Sequence, residues 1–265
     1  MKALTQEQVK INLVDKIDND TLRRIKSIHP DIDKCPTCEG RGKYVFESKT
    51  RKCNCDYQKL LQKHYYAANI GRAYHTLCID HFISDESELL KSSVNKYTED
   101  WKNNRHFGHG ITFNGNVGTG KTFAMSLILK QLVQRGYRVH FMTFDDIINT
   151  FGAAWNNDEA KHLNMKLRSV DILGIDELKT DARNSSGFLS TVAESIIRHR
   201  AVNLLPTLIT TNLTPTEEAA TFTKAFSLLS ALNVRVETEG YDIRGKEVRE
   251  REHDMKRKNE RRAVC

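Results

Sequence analysis

The sequence lacks the long apolar segments that membrane-spanning and secreted proteins carry. It contains no run of about eighteen apolar residues, which is what a transmembrane helix would require. The N-terminal stretch MKALTQEQVKINLVDKIDND has no uninterrupted apolar core of the kind found in a signal peptide. We therefore expect a cytoplasmic protein that makes no contact with a membrane.

Acidic residues are outnumbered by basic ones. The chain of 265 residues has 41 Lys and Arg against 34 Asp and Glu, so that its net charge is +7 and its pI is about 9.0. This excess favours a polyanionic partner, with nucleic acid the first candidate, although charge bears on association and not on fold. The length allows one large domain, or one domain with an appendage.

The chain has six cysteines, and four of the six form two close pairs. The pairs are a C-x-x-C and a C-x-C separated by fourteen residues, and their members are Cys35, Cys38, Cys53 and Cys55. In a reducing compartment this spacing favours a tetrahedral Cys₄ zinc site over disulfides. Four protein ligands leave no open coordination position, so the zinc would be structural. A redox pair and unpaired core thiols are the alternatives.

The residues between the two cysteine pairs fit a small metal-binding module. Gly40 and Gly42 permit a sharp turn that lets backbone N–H groups face thiolate sulfurs. The stretches Lys43 to Val45 and Lys49 to Lys52 predict a short hairpin inside the loop that the cysteines close.

The most specific motif is GNVGTGKT, which fits the phosphate-binding loop (P-loop, or Walker A) pattern G-x-x-x-x-G-K-[ST] at every fixed position. Its residues are Gly115, Asn116, Val117, Gly118, Thr119, Gly120, Lys121 and Thr122. The loop N–H groups and the dipole of the following helix would hold phosphate, with Lys121 on the β- and γ-phosphates and Thr122 on Mg²⁺. A Gly-rich turn that matches by chance is the alternative, and the apolar segments on both sides argue against it.

From Gly110 onward, apolar strand patterns alternate with helical ones. The predicted strands are Ile111–Phe113, Arg138–Thr143, Val170–Ile175 and Leu204–Thr210, and the predicted helices are Thr122–Arg135, Asp145–Asn156 and Ser186–Arg200. Such alternation indicates an α/β fold with a parallel sheet flanked by crossover helices.

Polar residues at two predicted strand ends complete the candidate site. The run VDILGIDEL places Asp176 and Glu177 at the carboxyl end of a buried strand, where open α/β sheets bind ligands. Asp176 would complete the Mg²⁺ shell, and Glu177 would orient or deprotonate the attacking water. Asn212, at the end of LLPTLITTN, could sense the γ-phosphate. The alternatives are two acids before a turn and a helix-capping asparagine.

GNVGTGKT, VDILGIDEL and LITTNL, with their spacing, resemble the AAA+ ATPases, and more narrowly the DnaC/DnaI group of replicative helicase loaders. The resemblance covers roughly residues 35–245 and includes the cysteine element and the stretch AANIGRAYHTLCIDHF. It implies an ATPase that uses Mg²⁺, assembles with copies of itself, holds single-stranded DNA and delivers the replicative helicase. The helper ATPases of insertion-sequence transposition look similar from Gly110 to Arg244.

The resemblance also assigns roles to polar residues beyond the phosphate loop. Asn212 matches the first sensor asparagine, and Arg200 matches an arginine near the subunit interface. At the position of the arginine that contacts a neighbour's ATP, the stretch AFSLLSALNVRVE carries an uncharged residue. Arg235 and Arg244 are the candidate substitutes. This departure favours a nucleotide-gated DNA or helicase adaptor with little turnover, whereas Glu177 favours an active ATPase.

We expect three regions. Residues 1–82 form a helical and zinc-binding module, residues 83–245 the ATPase domain, and residues 246–265 a basic tail. The first 34 residues predict two short amphipathic helices, either a cap or a partner-docking element. Helices are also predicted over Asp56–Ala73 and Asp85–Asn103; the second carries a core stripe of Leu90, Val94, Tyr97 and Trp101.

Overall fold

A five-stranded parallel sheet forms the centre of the fold. The computed structural model describes residues 38, 41–82, 88–154, 158–179 and 188–238. In these residues the strands are β1 (Lys43–Phe46), β2 (Lys49–Lys52), β3 (Gly110–Gly115), β4 (Val139–Thr143), β5 (Ile172–Leu178), β6 (Thr207–Thr211) and β7 (Asn233–Thr238). The large sheet has the order β4-β5-β6-β3-β7, and all its neighbours pair in parallel. The predicted α/β fold is thus confirmed.

Helices connect the strands and cover both faces of the sheet. They are α1 (Asn54–Ala67), α2 (Glu88–Glu99), α3 (Trp101–Phe107), α4 (Lys121–Gln134), α5 (Phe144–Ala154), α6 (Asp158–Ser169), α7 (Phe188–Val202), α8 (Pro215–Thr221) and α9 (Thr223–Leu232). Across the described ranges, no helix is both long and apolar enough to cross a membrane. The two predicted N-terminal helices, Cys35, Arg244 and the basic tail lie outside the described residues.

Several element boundaries differ from the sequence prediction. The helix predicted over Asp85–Asn103 is divided at Asp100 into α2 and α3, and its stripe of Leu90, Val94, Tyr97 and Trp101 is buried as predicted. Strand β7 and helices α6, α8 and α9 were not predicted. Strand β7 pairs with β3, α6 packs against α5 and α7, and α8 packs against α9. A capping box formed by Thr214 and Glu217 was a local signal for α8.

The sheet separates two apolar layers. One contains side chains of α1, α2 and α4, and the other those of α5, α6, α7 and α9. Consecutive strand residues go to opposite layers: Ile172 faces the first and Leu173 the second, as do Leu208 and Ile209. This double burial explains why the central strands read as continuous apolar runs and not as alternating ones.

The segment that links the cysteine module to the sheet packs on α4. The Gln134 side-chain amide donates to the Tyr65 hydroxyl at 2.8 Å, and the Lys130 ammonium donates to the Leu77 carbonyl at 2.6 Å. The rings of Phe82 and Phe123 lie 4.5 Å apart between centroids. Residues 54–82 therefore share an apolar layer with α4, so a division at residue 82 does not coincide with a gap in the packing.

The same segment also covers the free edge of the sheet at β4. The Phe141 N–H donates to the Ala68 carbonyl at 2.8 Å, and the Asn69 side-chain amide donates to the Phe141 carbonyl at 2.9 Å. Asn69 has φ 58°, a left-handed conformation that asparagine tolerates better than most residues. An uncovered edge would invite pairing with other chains, and this contact removes that opportunity at the centre of β4.

Arg200 lies inside the protein, which corrects its predicted place near a subunit interface. Its side chain is 0% exposed and ties α6, α7 and the start of β6 together. The guanidinium donates to the Leu167, Val170 and Pro206 carbonyls and to the Thr207 hydroxyl at 2.7–3.0 Å. Burial lowers its pKa to about 9. With every bond made inside the subunit, Arg200 is a structural residue and not a candidate for contact with a neighbour's nucleotide.

We predict that Arg200→Leu destabilises the fold by at least about 3 kcal/mol, because buried carbonyl oxygens lose their donors at roughly 1–3 kcal/mol each. Urea unfolding of the variant measures this loss. Arg198→Leu is the matched control, since Arg198 is an exposed residue of the same helix. Its effect should stay within about 0.5 kcal/mol. Equal stability of the two variants would contradict the structural role of Arg200.

Candidate functional sites: a phosphate-binding loop and a cysteine cluster

The loop between β3 and α4 depends on glycine for its backbone path. Gly118 and Gly120 have φ 83° and 90°, in the left-handed region that side chains disfavour. Gly115 has φ 139°, and a Cβ there would lie 2.1 Å from the Thr238 carbonyl oxygen of β7. The loop is therefore packed directly against β7, and only glycine fits at its first position.

Lys121 begins α4 and folds back across its own loop. Its ammonium donates to the Gly115 and Asn116 carbonyls at 2.7 and 2.6 Å, and the residue is 7% exposed. Because α4 starts at this residue, the positive end of the helix dipole points into the same loop. The loop thus combines backbone N–H groups, a helix N-terminus and one ammonium, which together suit the phosphates of a nucleotide.

Asp176 lies at the carboxyl end of β5 and is joined to two neighbouring elements. Its Oδ1 accepts hydrogen bonds from the Thr122 hydroxyl at 2.9 Å and from the Thr210 hydroxyl of β6 at 2.5 Å. The predicted pair Thr122 and Asp176 is therefore in direct contact. A hydroxyl and a carboxylate on one side of a phosphate-binding loop are oxygen ligands of the kind Mg²⁺ prefers.

The pKa of Asp176 is raised above its ordinary value. Burial is the main cause, because the residue is 5% exposed and the charged form loses hydration. The nearby Glu177 carboxylate raises the pKa further, and the hydrogen bonds from Thr210 and Thr122 oppose the shift. A divalent cation beside this carboxyl would favour its ionised form. The site is thus suited to a cation. Without one, the buried carboxylate lowers the stability of the folded protein.

Glu177 has an unusual backbone conformation. Its φ is 56°, and its N–H donates to the Thr210 hydroxyl at 2.9 Å at a register shift between β5 and β6. A non-glycine residue in the left-handed region carries strain, and such strain concentrates at functional positions. Next to this shift Asp176 is buried and Glu177 is exposed, so the two acids have different surroundings.

Asn212 directly follows β6, the strand that lies between β5 and β3. This position puts it at the sheet edge that carries the phosphate loop and Asp176, and its side chain is exposed. Its predicted contact with the γ-phosphate stays a prediction.

Two threonines complete the site and were missed by sequence reasoning. Thr210 accepts from Glu177 and donates to Asp176, so one hydroxyl positions both acids. The hydroxyl of Thr238, at the end of β7, lies 2.9 Å from that of Thr119 in the loop. The threonine-rich end of LITTN was a signal for Thr210, since a buried hydroxyl there needs a partner. Nothing local marked Thr238, because β7 itself was not recognised.

Arg235, a candidate for contact with a neighbouring subunit, is held within its own subunit. Its guanidinium forms ion pairs with Glu218 and Glu237, both at 2.7 Å, and its side chain is 26% exposed. These carboxylates raise its pKa, against the lowering effect of burial. Contact with a nucleotide on a neighbour would require exchange of at least one carboxylate for a phosphate.

Three of the four predicted zinc ligands lie together. The sulfurs of Cys38, Cys53 and Cys55 are all within 4.8 Å of one another, with 3.3 Å between those of Cys38 and Cys55. The Gly42 N–H donates to the Cys38 sulfur at 3.3 Å, as the predicted turn requires. The predicted hairpin is also present as β1 and β2, paired in antiparallel register.

The sequence comparisons relate the chain to proteins of replication initiation. A family model of the bacterial DnaA ATPase domain matches residues 75–196. The replicative helicase loader DnaI of Bacillus subtilis (strain 168) is 23% identical over 146 residues, which are 53% of this chain. The match spans 45% of the length of that curated relative.

Solved structures share the fold of the parallel sheet and its flanking helices. The DnaC helicase loader superimposes with a TM-score of 0.57 at 20% identity, covering 64% of this chain and 100% of that one. The replication initiator DnaA bound to AMPPCP and single-stranded DNA gives 0.55 at 19% identity, covering 68% of this chain and 56% of that one. The AAA+ type of core expected from the sequence is thus confirmed at the level of fold.

The raised pKa of Asp176 leads to a prediction about stability. The folded protein holds the Asp176 proton to higher pH than the unfolded chain, so ionisation of this carboxyl at neutral pH opposes folding. We expect Asp176→Asn, without nucleotide, to melt at the same temperature or a few degrees higher, since about 1 kcal/mol corresponds to roughly 2–4 °C. The variant should lose the stabilisation that Mg²⁺ and ATP give the parent. Thermal unfolding with and without Mg²⁺ and ATP measures both effects, and a lower melting temperature without nucleotide would show that the carboxylate is structural.

Proposed function

We propose that the protein is an ATPase of replication initiation that binds single-stranded DNA and delivers or remodels the replicative helicase. The observation that carries the ATPase part is the cluster at the carboxyl edge of the sheet. There, the Thr122 hydroxyl contacts Asp176 of β5, Glu177 follows Asp176 in the chain, and the Lys121 ammonium lies across the loop. This is the combination of charges that holds and hydrolyses a nucleoside triphosphate.

Each residue of the cluster has a distinct task. The loop N–H groups and Lys121 would hold the phosphates, with Lys121 exchanging its loop carbonyls for β- and γ-phosphate oxygens. Thr122 and Asp176 would hold Mg²⁺, which neutralises charge on the phosphates when bound. Glu177, exposed and fixed through Thr210, would orient a water and take its proton.

A nucleotide-gated adaptor with little turnover is the second candidate function. It is favoured by the state of the candidate arginines within the described residues. Arg200 is buried and Arg235 is paired with two carboxylates, so neither is poised to contact a neighbour's γ-phosphate. Glu177 argues the other way, because a switch that only binds ATP needs no base. The two functions differ in turnover and not in nucleotide binding.

The replication partners are inferred from relatives and from charge. The curated relative is named as a replicative helicase loader, and one structural neighbour, DnaA, is bound to single-stranded DNA. The net charge of +7 suits a polyanion. Self-assembly driven by ATP, which would bring several basic surfaces to one strand, belongs to the same proposal, as does a cytoplasmic location. A transposition helper would share the ATPase core, and the cysteine module favours the loader.

Glu177→Gln provides the test of the proposal, because the amide keeps the shape of the side chain and removes its basicity. We expect the variant to bind ATP with parental affinity, to hydrolyse it at least about 100-fold more slowly, and to retain the host replicative helicase when ATP is present. Equilibrium binding of a fluorescent ATP analogue, phosphate release and co-purification with the helicase measure these effects.

Lys121→Ala is the control, since it removes the ammonium that holds the phosphates. This variant should fail to bind ATP and should show no ATP-dependent retention of the helicase. Slow turnover in the parent, with Glu177→Gln no slower, would favour the adaptor. Absence of any helicase complex with either nucleotide state would remove the loader proposal and leave the ATPase.

We also propose that the cysteine cluster holds a structural zinc ion. In a tetrahedral site with Zn–S bonds of about 2.3 Å, neighbouring sulfurs lie about 3.8 Å apart. The Cys38, Cys53 and Cys55 sulfurs lie within 4.8 Å of one another, and those of Cys38 and Cys55, at 3.3 Å, would separate by about half an ångström around the ion. The N–H of Gly42 stabilises negative charge on the Cys38 sulfur. Cys35 would supply the fourth ligand. The ion would fix the base of the hairpin and the start of α1.

The zinc proposal predicts about one Zn²⁺ per chain in elemental analysis of protein purified without added metal. Cys53→Ser should lose the metal and become sensitive to protease within residues 35–55, while ATP binding by the core persists, because structural zinc is coupled to local folding. Thr50→Ala, at an exposed residue of the same hairpin, is the control and should keep the metal. Metal-free parent protein with a protected hairpin would rule the site out.

A further inference from the structure

The β1–β2 hairpin has two different faces. Its cross-strand pairs are Lys43 with Lys52, Tyr44 with Arg51, Val45 with Thr50, and Phe46 with Lys49. Because successive strand residues point to opposite faces, two aromatic and two basic side chains share one of them. We call this the aromatic face, and its residues are Tyr44, Phe46, Lys49 and Arg51.

Phe46 is the central feature of the aromatic face. It is 51% exposed, although a phenylalanine ring gains more from burial than almost any other side chain. The Arg51 guanidinium lies 4.9 Å from the centre of this ring, and Lys49 is directly opposite on the partner strand. An exposed ring bordered by cations can stack on a flat group while the cations contact negative charge.

The charge around the face is strongly one-sided. Residues 41–52 contain five basic side chains, Arg41, Lys43, Lys49, Arg51 and Lys52, and a single acidic one, Glu47. Glu47 pairs with Arg51 at 3.5 Å, with both side chains about half exposed or more. Such surface ion pairs contribute little to the stability of the fold and are screened by salt. A phosphate of a polyanion can therefore take the place of the glutamate beside Arg51.

We propose that the aromatic face of the hairpin binds single-stranded nucleic acid. Bases would stack on Phe46 and Tyr44, and phosphates would contact Lys49 and Arg51. Stacking requires unpaired bases, so the face suits a single strand and not a duplex. An acidic protein surface would satisfy the cations but would not use the exposed ring, which is why nucleic acid is the better partner.

The hairpin is joined firmly to the nucleotide site. The Cys53 N–H donates to the Gly42 carbonyl at 2.7 Å and closes the base of the hairpin. Helix α1 begins at the next residue and packs on α4, whose first residue is Lys121. A nucleic-acid strand bound to the hairpin would therefore be held at a fixed position relative to the phosphate loop. The contact needs no ATP, so it does not depend on the ATPase proposal.

Two neighbouring residues provide the test. Phe46→Ala removes the ring from the aromatic face, and Val45→Ala makes a similar truncation on the opposite face of the same strand, where Val45 is 72% exposed. We expect Phe46→Ala to weaken binding of the full chain to a fluorescent oligothymidylate of about 10 nucleotides by about tenfold, without nucleotide. Val45→Ala should bind like the parent. Fluorescence anisotropy measures the affinities.

A second pair of variants tests the cations. Lys49→Gln with Arg51→Gln should lower the slope of log affinity against log salt by about 0.7 for each phosphate that the protein no longer neutralises. Lys43→Gln with Lys52→Gln makes the same charge change on the opposite face. The salt slope of this double variant should stay closer to that of the parent. Circular dichroism and ATP binding verify that each variant is folded.

The proposal fails if Phe46→Ala and Val45→Ala bind the oligonucleotide equally, or if both charge pairs change the slope alike. It also fails if Phe46→Ala keeps its DNA affinity and loses the helicase, which would identify the face as a protein-binding surface. Failure here leaves the ATPase proposal intact, because the experiment contains no nucleotide. Conversely, loss of ATP binding in Lys121→Ala should leave binding by the hairpin unchanged.

Discussion

The buried carboxylate of Asp176 is the group on which the site depends. Its Oδ1 accepts hydrogen bonds from the Thr122 hydroxyl in the first turn of α4 and from the Thr210 hydroxyl of β6. Side chains of three elements therefore meet at one oxygen atom. Burial makes its charge unfavourable, and the hydrogen bonds offset only part of that cost, since the pKa remains raised. A cation bound beside the carboxylate would offset the part of this free-energy cost that the hydrogen bonds leave. Nucleotide binding would then tighten the contacts among these elements.

The phosphate loop has a second support on the opposite side. Thr238 contacts Gly115 so closely that no side chain fits there, and its hydroxyl faces that of Thr119. The edge strand β7 therefore holds the phosphate loop from one side, while β5 and β6 hold Asp176 and Glu177 in place. A change in β7 would move the loop without touching a phosphate-binding residue. Arg235, on the same strand, is held by two carboxylates, and their release is the step that would free it for a neighbouring subunit.

The linker from the cysteine module packs on the helix that begins at the phosphate loop and is not a simple tether. Lys130, on the helix that begins with Lys121, is buried against Leu77, and burial lowers its pKa to about 7. A lysine so placed stays favourable only while the linker carbonyl covers it. The same linker occupies the edge of β4 through Asn69. Displacement of the N-terminal module by a partner would thus disturb both α4 and the sheet edge.

The sequence by itself determined the fold class and the positions of the candidate site residues that local motifs mark. Gly115 to Thr122, Asp176 and Glu177 were predicted because their motifs are local: the spacing of glycines, a lysine and acids at a strand end follows from contacts within a few residues. The parallel sheet followed from alternating apolar patterns, and the cysteine pairs from ligand spacing. What was missed or misplaced depends on residues distant in the chain.

Tertiary structure alone decided the rest. Thr238 reaches the loop from 119 residues beyond Thr119, at the end of a six-residue strand whose place beside β3 is defined only in the packed sheet. Arg200 matched a family arginine by position, yet the three carbonyl oxygens that surround it come from two other segments and place it in the interior. Whether a polar side chain is buried or free depends on which distant backbone groups need a donor. The pairing of these backbone groups with side-chain donors is decided only when the helices pack on the sheet.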